Sequence, residues 1–163
     1  MTHQRYQSSH DWYIIHRMKK NSHDILFGFD FGMKRIGVAV GQTVTKTARP
    51  LATIQANKGI PEWNTLTKLV MKWRPDALIV GIPLNMDGTE QPLTVAAQKF
   101  ADALRDRFQL PVYGMDERLT SVEAKAGLFN EGGYKALKNA EIDSVAAQLI
   151  LQNWLAQIDE NEP

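Results

Sequence analysis

The stretch Ile25–Gly32, which reads ILFGFDFG, decides how this chain folds. Its apolar residues form a run with the length and composition of a buried β-strand. One acid, Asp30, lies near the carboxyl end of that run. A charge inside a sheet is costly unless it is paired, hydrogen-bonded or bound to a metal. We therefore expect Asp30 to have a specific partner, and a divalent cation is the strongest candidate.

Working outward from this strand, apolar runs and helical periodicities follow one another in the order β-β-β-α-β-α-β-α-α. Three early strands followed by alternating helices and strands predict an α/β domain with a five-stranded mixed sheet and helices on both of its faces. Pro50 would place the third strand at an edge of the sheet. The predicted elements are strands at 25–32, 36–41, 49–54, 77–82 and 111–115, and helices opening at Pro61, after Glu90, at the capping box Thr120–Glu123 and near Asp143.

Size and composition indicate one ordinary globular domain. The chain has 163 residues, of which 44% are hydrophobic and 23% are charged, and it contains no cysteine. The absence of cysteine excludes disulfides and thiolate metal sites, and it is consistent with the cytoplasm. No apolar run is long enough to cross a membrane. We interpret residues 1–23 as a flexible extension, with Met18 as an alternative start, and residues 24–160 as the single domain.

Charge is unevenly placed along the chain. The net charge is +1, but the first 20 residues carry four basic residues and one acid, which leaves −2 for the remainder. The predicted domain is therefore not basic overall. Strong nonspecific binding to nucleic acid is not expected from charge alone. Binding of a polyanion would need a local basic patch or bridging metal ions.

Three acids are predicted to meet at one edge of the sheet. Asp30 lies near the carboxyl end of the first strand, Glu117 follows the fifth, and Asp143 lies in the first turn of the last helix. In open α/β sheets, ligands bind at the carboxyl ends of the strands. Converging carboxylates repel one another unless cations lie between them, and oxygen ligands favour Mg²⁺ or Mn²⁺. Two such ions can activate water and stabilise the leaving oxygen in phosphodiester hydrolysis.

Each acid also has a simpler interpretation. Asp30 could be a buried carboxylate satisfied by backbone N–H groups. Asp143 could be an acid favoured by the positive end of a helix dipole. Glu117 could be a solvated loop residue or a partner of Arg118. The spacing of the three acids does not by itself decide between these interpretations and a metal site.

Four segments together resemble the YqgF family, also called RuvX, of proteins similar to Holliday-junction resolvases. The match runs through residues 24–158, in order and at spacing similar to that of the family. Four motifs in order are far more specific than the Asp-Phe-Gly triplet. The segments that carry the resemblance are 30–39 (DFGMKRIGVA), 80–90 (VGIPLNMDGTE), 116–121 (DERLTS) and 143–147 (DSVAA).

The resemblance implies an RNase H-like fold and a cytoplasmic, metal-dependent nuclease that matures the 5′ end of the small-subunit ribosomal RNA precursor. It also implies that Asp30, Glu117 and Asp143 are the catalytic metal ligands. Unlike the related junction resolvases, the fourth predicted strand ends in Gly81-Ile82-Pro83 and supplies no acid. Glu117 would take that role, which makes cleavage of DNA junctions a less direct inference.

Four further residues are candidates for binding the substrate. Lys34 and Arg35 in the first turn, and Arg118 beside Glu117, could contact phosphates. Asn85 belongs to a polar loop at the same predicted edge. The simpler interpretation of the three cations is a solvated turn and a surface ion pair.

Structured RNA is the preferred partner, a DNA junction is the alternative, and the protein would act as a monomer or homodimer without a membrane. Two other functions compete with a nuclease. One is a nucleic-acid-binding factor that does not catalyse cleavage. The other is an actin-like nucleotide-binding protein, since such folds also begin with a hairpin that contains an Asp. The chain has no room for a second such domain, so this function ranks last.

Overall fold

The computed structural model describes residues 24–119 and 139–160, which form a mixed sheet covered by helices on both faces. Within these residues, six strands occur in the order β4-β3-β2-β1-β5-β6. Strands β1, β2 and β3 form an antiparallel meander, while β5 and β6 run parallel to β1. The strands are β1 (Ile25–Asp30), β2 (Arg35–Gln42), β3 (Thr47–Asn57), β4 (Ile60–Pro61), β5 (Ala77–Ile82) and β6 (Val112–Asp116).

Strand β1 lies at the centre because it can be buried on both faces. Its partners are β2 on one side and β5 on the other, and Phe27 and Phe29 are completely buried. A strand covered on both faces is expected to be continuously apolar. Asp30, at its carboxyl end, is paired with Gly37 of β2. The fold therefore brings this acid to the edge of the sheet where β1, β5 and β6 all end.

Two helices cover one face of the sheet. They are α1 (Trp63–Trp73) and α2 (Pro92–Phe108). Phe29 packs edge-on against Phe100 of α2, with ring centroids 5.5 Å apart. Leu66 of α1 and Leu104 of α2 are fully buried in the same cluster. This face holds the larger of the two apolar cores.

The last helix, α3 (Asn139–Glu160), covers the opposite face. Ala147 and Leu151 are fully buried against the strands, and Trp154 packs on Tyr113 of β6. A Cβ atom placed on Gly28 would lie 2.8 Å from the Cβ of Leu151. Glycine in β1 and alanine in α3 thus allow the helix backbone to approach the sheet closely.

The predicted α/β architecture with helices on both faces agrees with the structure, and three details differ. The sheet has six strands instead of five, because the two residues of β4 pair with the end of β3. Pro61 belongs to that short strand, and α1 begins at Trp63. The last helix begins at Asn139 instead of near Asp143, and the centre of its buried face lies at Ala147 and Leu151.

Strand β3 is not the outermost strand that Pro50 predicts, because β4 lies beyond it. Among the described residues, β4 pairs with Ala56 and Asn57 and does not reach Pro50, so that part of β3 pairs with β2 alone. The register shifts between Val38 and Ala39 at the same level. Proline lacks an N–H donor and is tolerated at such an edge. The predicted helix at 120–132 and the proposed extension at 1–23 lie outside the described residues.

Candidate active site

Asp30 lies between two glycines on the neighbouring strands. Gly37 of β2 is its direct antiparallel partner. On the other side, Phe29 pairs with Val80, so Gly81 of β5 lies one step further along, beside Asp30. Residues opposite each other in a sheet project from the same face. The two glycines therefore leave space on both sides of the Asp30 carboxylate.

The start of α3 occupies the space above Gly37. A Cβ atom on Gly37 would lie only 1.9 Å from the backbone oxygen of Asp143, a distance that no real side chain could have. Because the missing Cβ points toward Asp143, the side chain of Asp30 projects toward the same face. The backbone of Asp143 thus lies directly over Gly37, the residue that pairs with Asp30.

The carboxylate of Glu117 occupies the space above Gly81. Glu117 opens a short 3₁₀ turn, Glu117–Leu119, directly after β6. A Cβ atom on Gly81 would lie 3.0 Å from Oε2 of Glu117 and 2.5 Å from Cδ1 of Ile150. Glu117 therefore lies on the α3 face of the sheet, as Asp30 and Asp143 do. The three acids form a row across β5, β1 and β2, which we call the acid row, with Asp30 in the middle.

Neighbouring strands are about 4.8 Å apart, so the acid row spans roughly two strand spacings. Within residues 24–119 and 139–160, no three acidic or histidine side chains come close enough to one another to enclose a metal ion. The row nevertheless fits a hard cation in two respects. Its donors are carboxylate oxygens, which Mg²⁺ and Mn²⁺ prefer. The glycines on both sides of Asp30 leave room for the Glu117 carboxylate and for the backbone of Asp143.

Arg35 forms a hydrogen bond and an ion pair with Asp143. Its Nε donates a hydrogen bond of 2.7 Å to Oδ2 of Asp143, and the two side chains are 38% and 20% exposed. Arg35 opens β2, two residues before Gly37, so the hairpin that contains Asp30 also delivers this cation. Such a charge-assisted bond orients the Asp143 carboxylate. Lys34, the preceding residue, is exposed at the same turn.

Arg118 connects the end of β6 to the loop after β5. Its guanidinium contacts both carboxylate oxygens of Asp116, with Nη2 2.7 Å from Oδ2. Nη1 also donates to the backbone oxygen of Met86 at 3.3 Å. The hydrogen bonds that Arg118 donates to Asp116 raise the pKa of Arg118, so this residue stays charged at any ordinary pH. Arg118 thus braces the turn that carries Glu117.

The loop that includes Asn85 is internally hydrogen-bonded. The side-chain amide of Asn85 donates to the hydroxyl of Thr89, which donates in turn to Oδ1 of Asp87 at 2.6 Å. These bonds from the side chain and backbone of Thr89 lower the pKa of Asp87 below its ordinary value of 3.8. Met86 at the tip is 90% exposed. The loop therefore has a defined shape at the same edge of the sheet as the acid row.

Three residues of this site were not predicted from the sequence. Gly37 and Gly81 make room for the acid row, and Asp116 holds Arg118. The signal for the glycines was present, because a glycine inside an apolar strand often marks a close approach of another backbone or a ligand. Asp116 was indistinguishable from any other acid at the end of a strand.

The chain is similar to known proteins in both sequence and structure. The RuvX family, described as Holliday junction resolvase, matches residues 24–157. A protein of Escherichia coli O157:H7 (strain EC4115 / EHEC), named "Putative pre-16S rRNA nuclease", is 55% identical over 132 residues, which is 81% of this chain and 96% of that protein. Its counterpart in Escherichia coli O7:K1 (strain IAI39 / ExPEC) carries the same name and is 54% identical with the same coverage.

Among solved structures, the chain is similar to Thermus thermophilus RuvC in complex with a Holliday junction substrate. The TM-score is 0.55 at 17% identity, and the match covers 86% of this chain and 99% of that chain. A second Thermus thermophilus RuvC structure matches with a TM-score of 0.50 at 16% identity, covering 83% of this chain and 96% of that one. At this identity the likeness concerns the fold alone. It confirms the predicted RNase H-like architecture.

Proposed function

This chain belongs to the RuvX family, and from that premise we propose that it is a nuclease that hydrolyses phosphodiester bonds with divalent metal ions. The acid row is the single observation that carries the proposal. Its three carboxylates come from the central strand, from the turn after β6 and from the last helix. Gly81 leaves room for the carboxylate of Glu117, and Gly37 leaves room for the backbone of Asp143.

Structured RNA is the proposed substrate, and the precursor of the small-subunit ribosomal RNA is the preferred example. The support is the name carried by relatives that are 54% and 55% identical over almost their whole length. Ribosomal RNA is made and processed in the cytoplasm of bacteria, which is where we propose that the protein acts. No helix in the part of the chain that the structure describes has the length and apolarity needed to cross a membrane.

A DNA four-way junction is the second candidate substrate. The description of the family and the fold shared with RuvC favour it. The likeness to RuvC is at 17% identity and concerns architecture, whereas the likeness to the relatives named for RNA is three times closer in sequence. RNA therefore remains the preferred substrate.

The proposed roles follow from the positions of the side chains. Asp30, Glu117 and Asp143 would hold Mg²⁺ or Mn²⁺. When bound, such ions activate water for attack on phosphorus and stabilise the leaving oxygen. Arg35 orients Asp143 through its Nε, and Arg118 fixes the turn that carries Glu117 through Asp116.

The remaining roles concern the substrate. Lys34 would contact phosphates, as would the guanidinium edges of Arg35 and Arg118 that their carboxylate partners leave available. Asn85 shapes the loop at the rim of the site through its bond to Thr89.

The proposal is tested by cleavage of a labelled ribosomal RNA precursor, beside a DNA four-way junction, with Mg²⁺ or Mn²⁺. Asp30→Asn keeps the size of the side chain but removes its charge. We expect the rate of cleavage to fall at least about a hundredfold, since metal stabilisation is worth several kcal/mol and each ~1.4 kcal/mol is a factor of ten. The matched control is Asp102→Asn, which removes a carboxylate on α2.

The outcomes separate the candidates. Cleavage of RNA that depends on Asp30 supports the preferred function, and cleavage of the junction alone moves the function to DNA. If Asp30→Asn cleaves as fast as the wild type, the acid row is not the active site. Salt-sensitive RNA binding with no cleavage of either substrate would favour a binding factor that is not a nuclease.

A further inference from the structure

An apolar pocket of about 340 Å³ lies on the face of the sheet opposite the acid row. Phe31, Trp63 and Phe100 form aromatic parts of its wall, and Ile60 of β4 closes one side. Lys58 and Lys99 contribute positive charge at its rim, and no acid is among the described residues that line it. We call this pocket the aromatic pocket. The nuclease site as proposed above does not use it.

The aromatic pocket is directly connected to the acid row through the backbone. Phe31 follows Asp30 in the sequence, and the two side chains lie on opposite faces of the sheet, since Phe31 packs on Phe100 with ring centroids 5.3 Å apart. The turn at Lys58–Gly59 is also fixed to the same segment. Its Gly59 N–H donates to the backbone oxygen of Met33 at 2.9 Å. The aromatic pocket and the acid row therefore lie on opposite faces of the sheet, near the carboxyl end of β1.

The turn at Lys58–Gly59, which lines the pocket, has a defined backbone conformation. Lys58 and Gly59 both adopt positive φ angles, of 52° and 83°. A Cβ atom on Gly59 would lie 3.0 Å from Cζ of Phe31, so the turn rests directly on that ring. Ile60, the next residue, is 63% exposed. The backbone of this turn therefore places Lys58 and the exposed Ile60 beside the pocket.

Positively charged side chains lie beside aromatic rings around the pocket. Besides the two lysines, the guanidinium of Arg107 lies over the ring of Trp63, 4.7 Å from its centroid. The wall of the pocket is mostly apolar, so it offers surfaces for stacking and apolar contact but few hydrogen-bonding groups. Cations interleaved with aromatic rings are how proteins bind single-stranded nucleic acid without reading its sequence. An acidic peptide is a less complete match, because it would use the cations but not the stacking surface.

We propose that the aromatic pocket binds an unpaired nucleotide of the substrate strand, next to the bond that the acid row cleaves. The base would lie against Trp63 and Ile60, and the flanking phosphates would contact Lys58 and Lys99. This inference deepens the proposed function and rests on it for the nature of the ligand. It implies that the enzyme acts where a duplex gives way to a single strand.

The test measures binding, so that it does not depend on cleavage. The probe is a fluorescently labelled oligouridylate of about 12 nucleotides, a length that single-strand sites cover, with full-length Asp30→Asn protein in EDTA. The double variant Lys58→Gln, Lys99→Gln removes the two cations of the rim. The matched control is Lys68→Gln, Lys72→Gln, which makes the same charge change on α1 at residues that do not line the pocket.

We expect the rim variant to bind the oligonucleotide about tenfold more weakly. We also expect the slope of log affinity against log salt to fall by about 1.4, because each phosphate contact on a single strand contributes ~0.7. Trp63→Leu should weaken binding by about tenfold through lost stacking without changing the salt slope. The control pair should change neither quantity appreciably, and thermal unfolding of each variant shows whether it is folded.

Equal losses in the rim and control variants would overturn the proposal, since they would indicate general electrostatics. Unchanged binding in the rim variant would also overturn it and leave the pocket as a surface for another protein. The two proposals fail separately. If the wild type cleaves the RNA precursor but the rim variant binds normally, only the aromatic pocket proposal is wrong. If nothing is cleaved but the rim variant loses strand binding, only the nuclease proposal is wrong.

Discussion

At Gly37, one missing methyl group determines how closely the last helix can approach the sheet. We predict that Gly37→Ala destabilises the protein by about 1–3 kcal/mol and reduces cleavage, because the added Cβ would lie 1.9 Å from the backbone oxygen of Asp143. The measurement is chemical denaturation together with the cleavage rate. Gly28→Ala is the comparison, since its Cβ would meet Leu151 away from the acids. It should lose stability but keep most activity, and a fully active, fully stable Gly37→Ala would contradict this account.

Asp87 and Thr89 give a second prediction for single residues. The pKa of Asp87 is lowered by hydrogen bonds from the side chain and backbone of Thr89, so this contribution to loop order is present above pH 3.8 and is lost as the pH falls through the lowered value. Thr89→Val removes the hydroxyl donor and should return the pKa of Asp87 toward 3.8. Thr89→Ser keeps the donor and should leave the pKa low. Titration of the carboxyl carbon by NMR measures both, and equal pKa values in the two variants would refute the assignment.

For a whole element, the close contact of α3 with the sheet gives a clear expectation. Ala147 is fully buried at that contact, and its backbone oxygen would lie 3.1 Å from a Cβ on Gly28. Ala147→Leu should cost about 1–3 kcal/mol of stability, since extra methylenes do not fit a packed interface. Ala156→Leu makes the same change on the exposed side of the same helix and should cost little. Similar losses in the two variants would show that the contact is less tight than described.

Sequence patterns predicted the elements better than their contacts. The strands followed from continuous apolar runs, and Pro50 marked the part of β3 that β4 does not cover, although β3 is not the outermost strand. Strand β4 has only two residues, too few for any periodicity to show. In α3, apolar residues surround much of the helix, so their spacing did not select the line of contact at Ala147 and Leu151. The glycines of the sheet select it, and they belong to distant parts of the sequence.

For the whole molecule, binding of metal ions should stabilise the fold. A ligand that binds only the folded state at about 100 times its dissociation constant adds about 2.7 kcal/mol. We therefore predict that Mn²⁺ raises the unfolding temperature of the wild type, with a smaller rise for Asp30→Asn. Chelation by EDTA should reverse the shift. The same rise in both proteins would place the metal somewhere other than the acid row.

The order of the three acids along the chain made their positions at one edge of the sheet predictable only in part. The rule that strand ends collect ligands applied to Asp30 and Glu117. Asp143 lies on a helix, and its position depends on the packing of α3 over Gly37. Arg118 was predicted to contact a phosphate or to form a surface ion pair, and in the structure it forms an ion pair with Asp116. The 3₁₀ turn produces this pairing by bringing Arg118 back over the end of β6.

The packing of α3 over the first hairpin has a consequence for the nascent chain. Arg35 and Asp143 are 108 residues apart in sequence, yet they share a hydrogen bond. Protein synthesis delivers the amino-terminal strands before α3, so the first hairpin exists for a time without this hydrogen bond. An unfinished polypeptide that lacks α3 contains Asp30 and Glu117 but not Asp143. If the acid row is the active site as proposed above, cleavage can begin only after α3 has been made and has packed over Gly37.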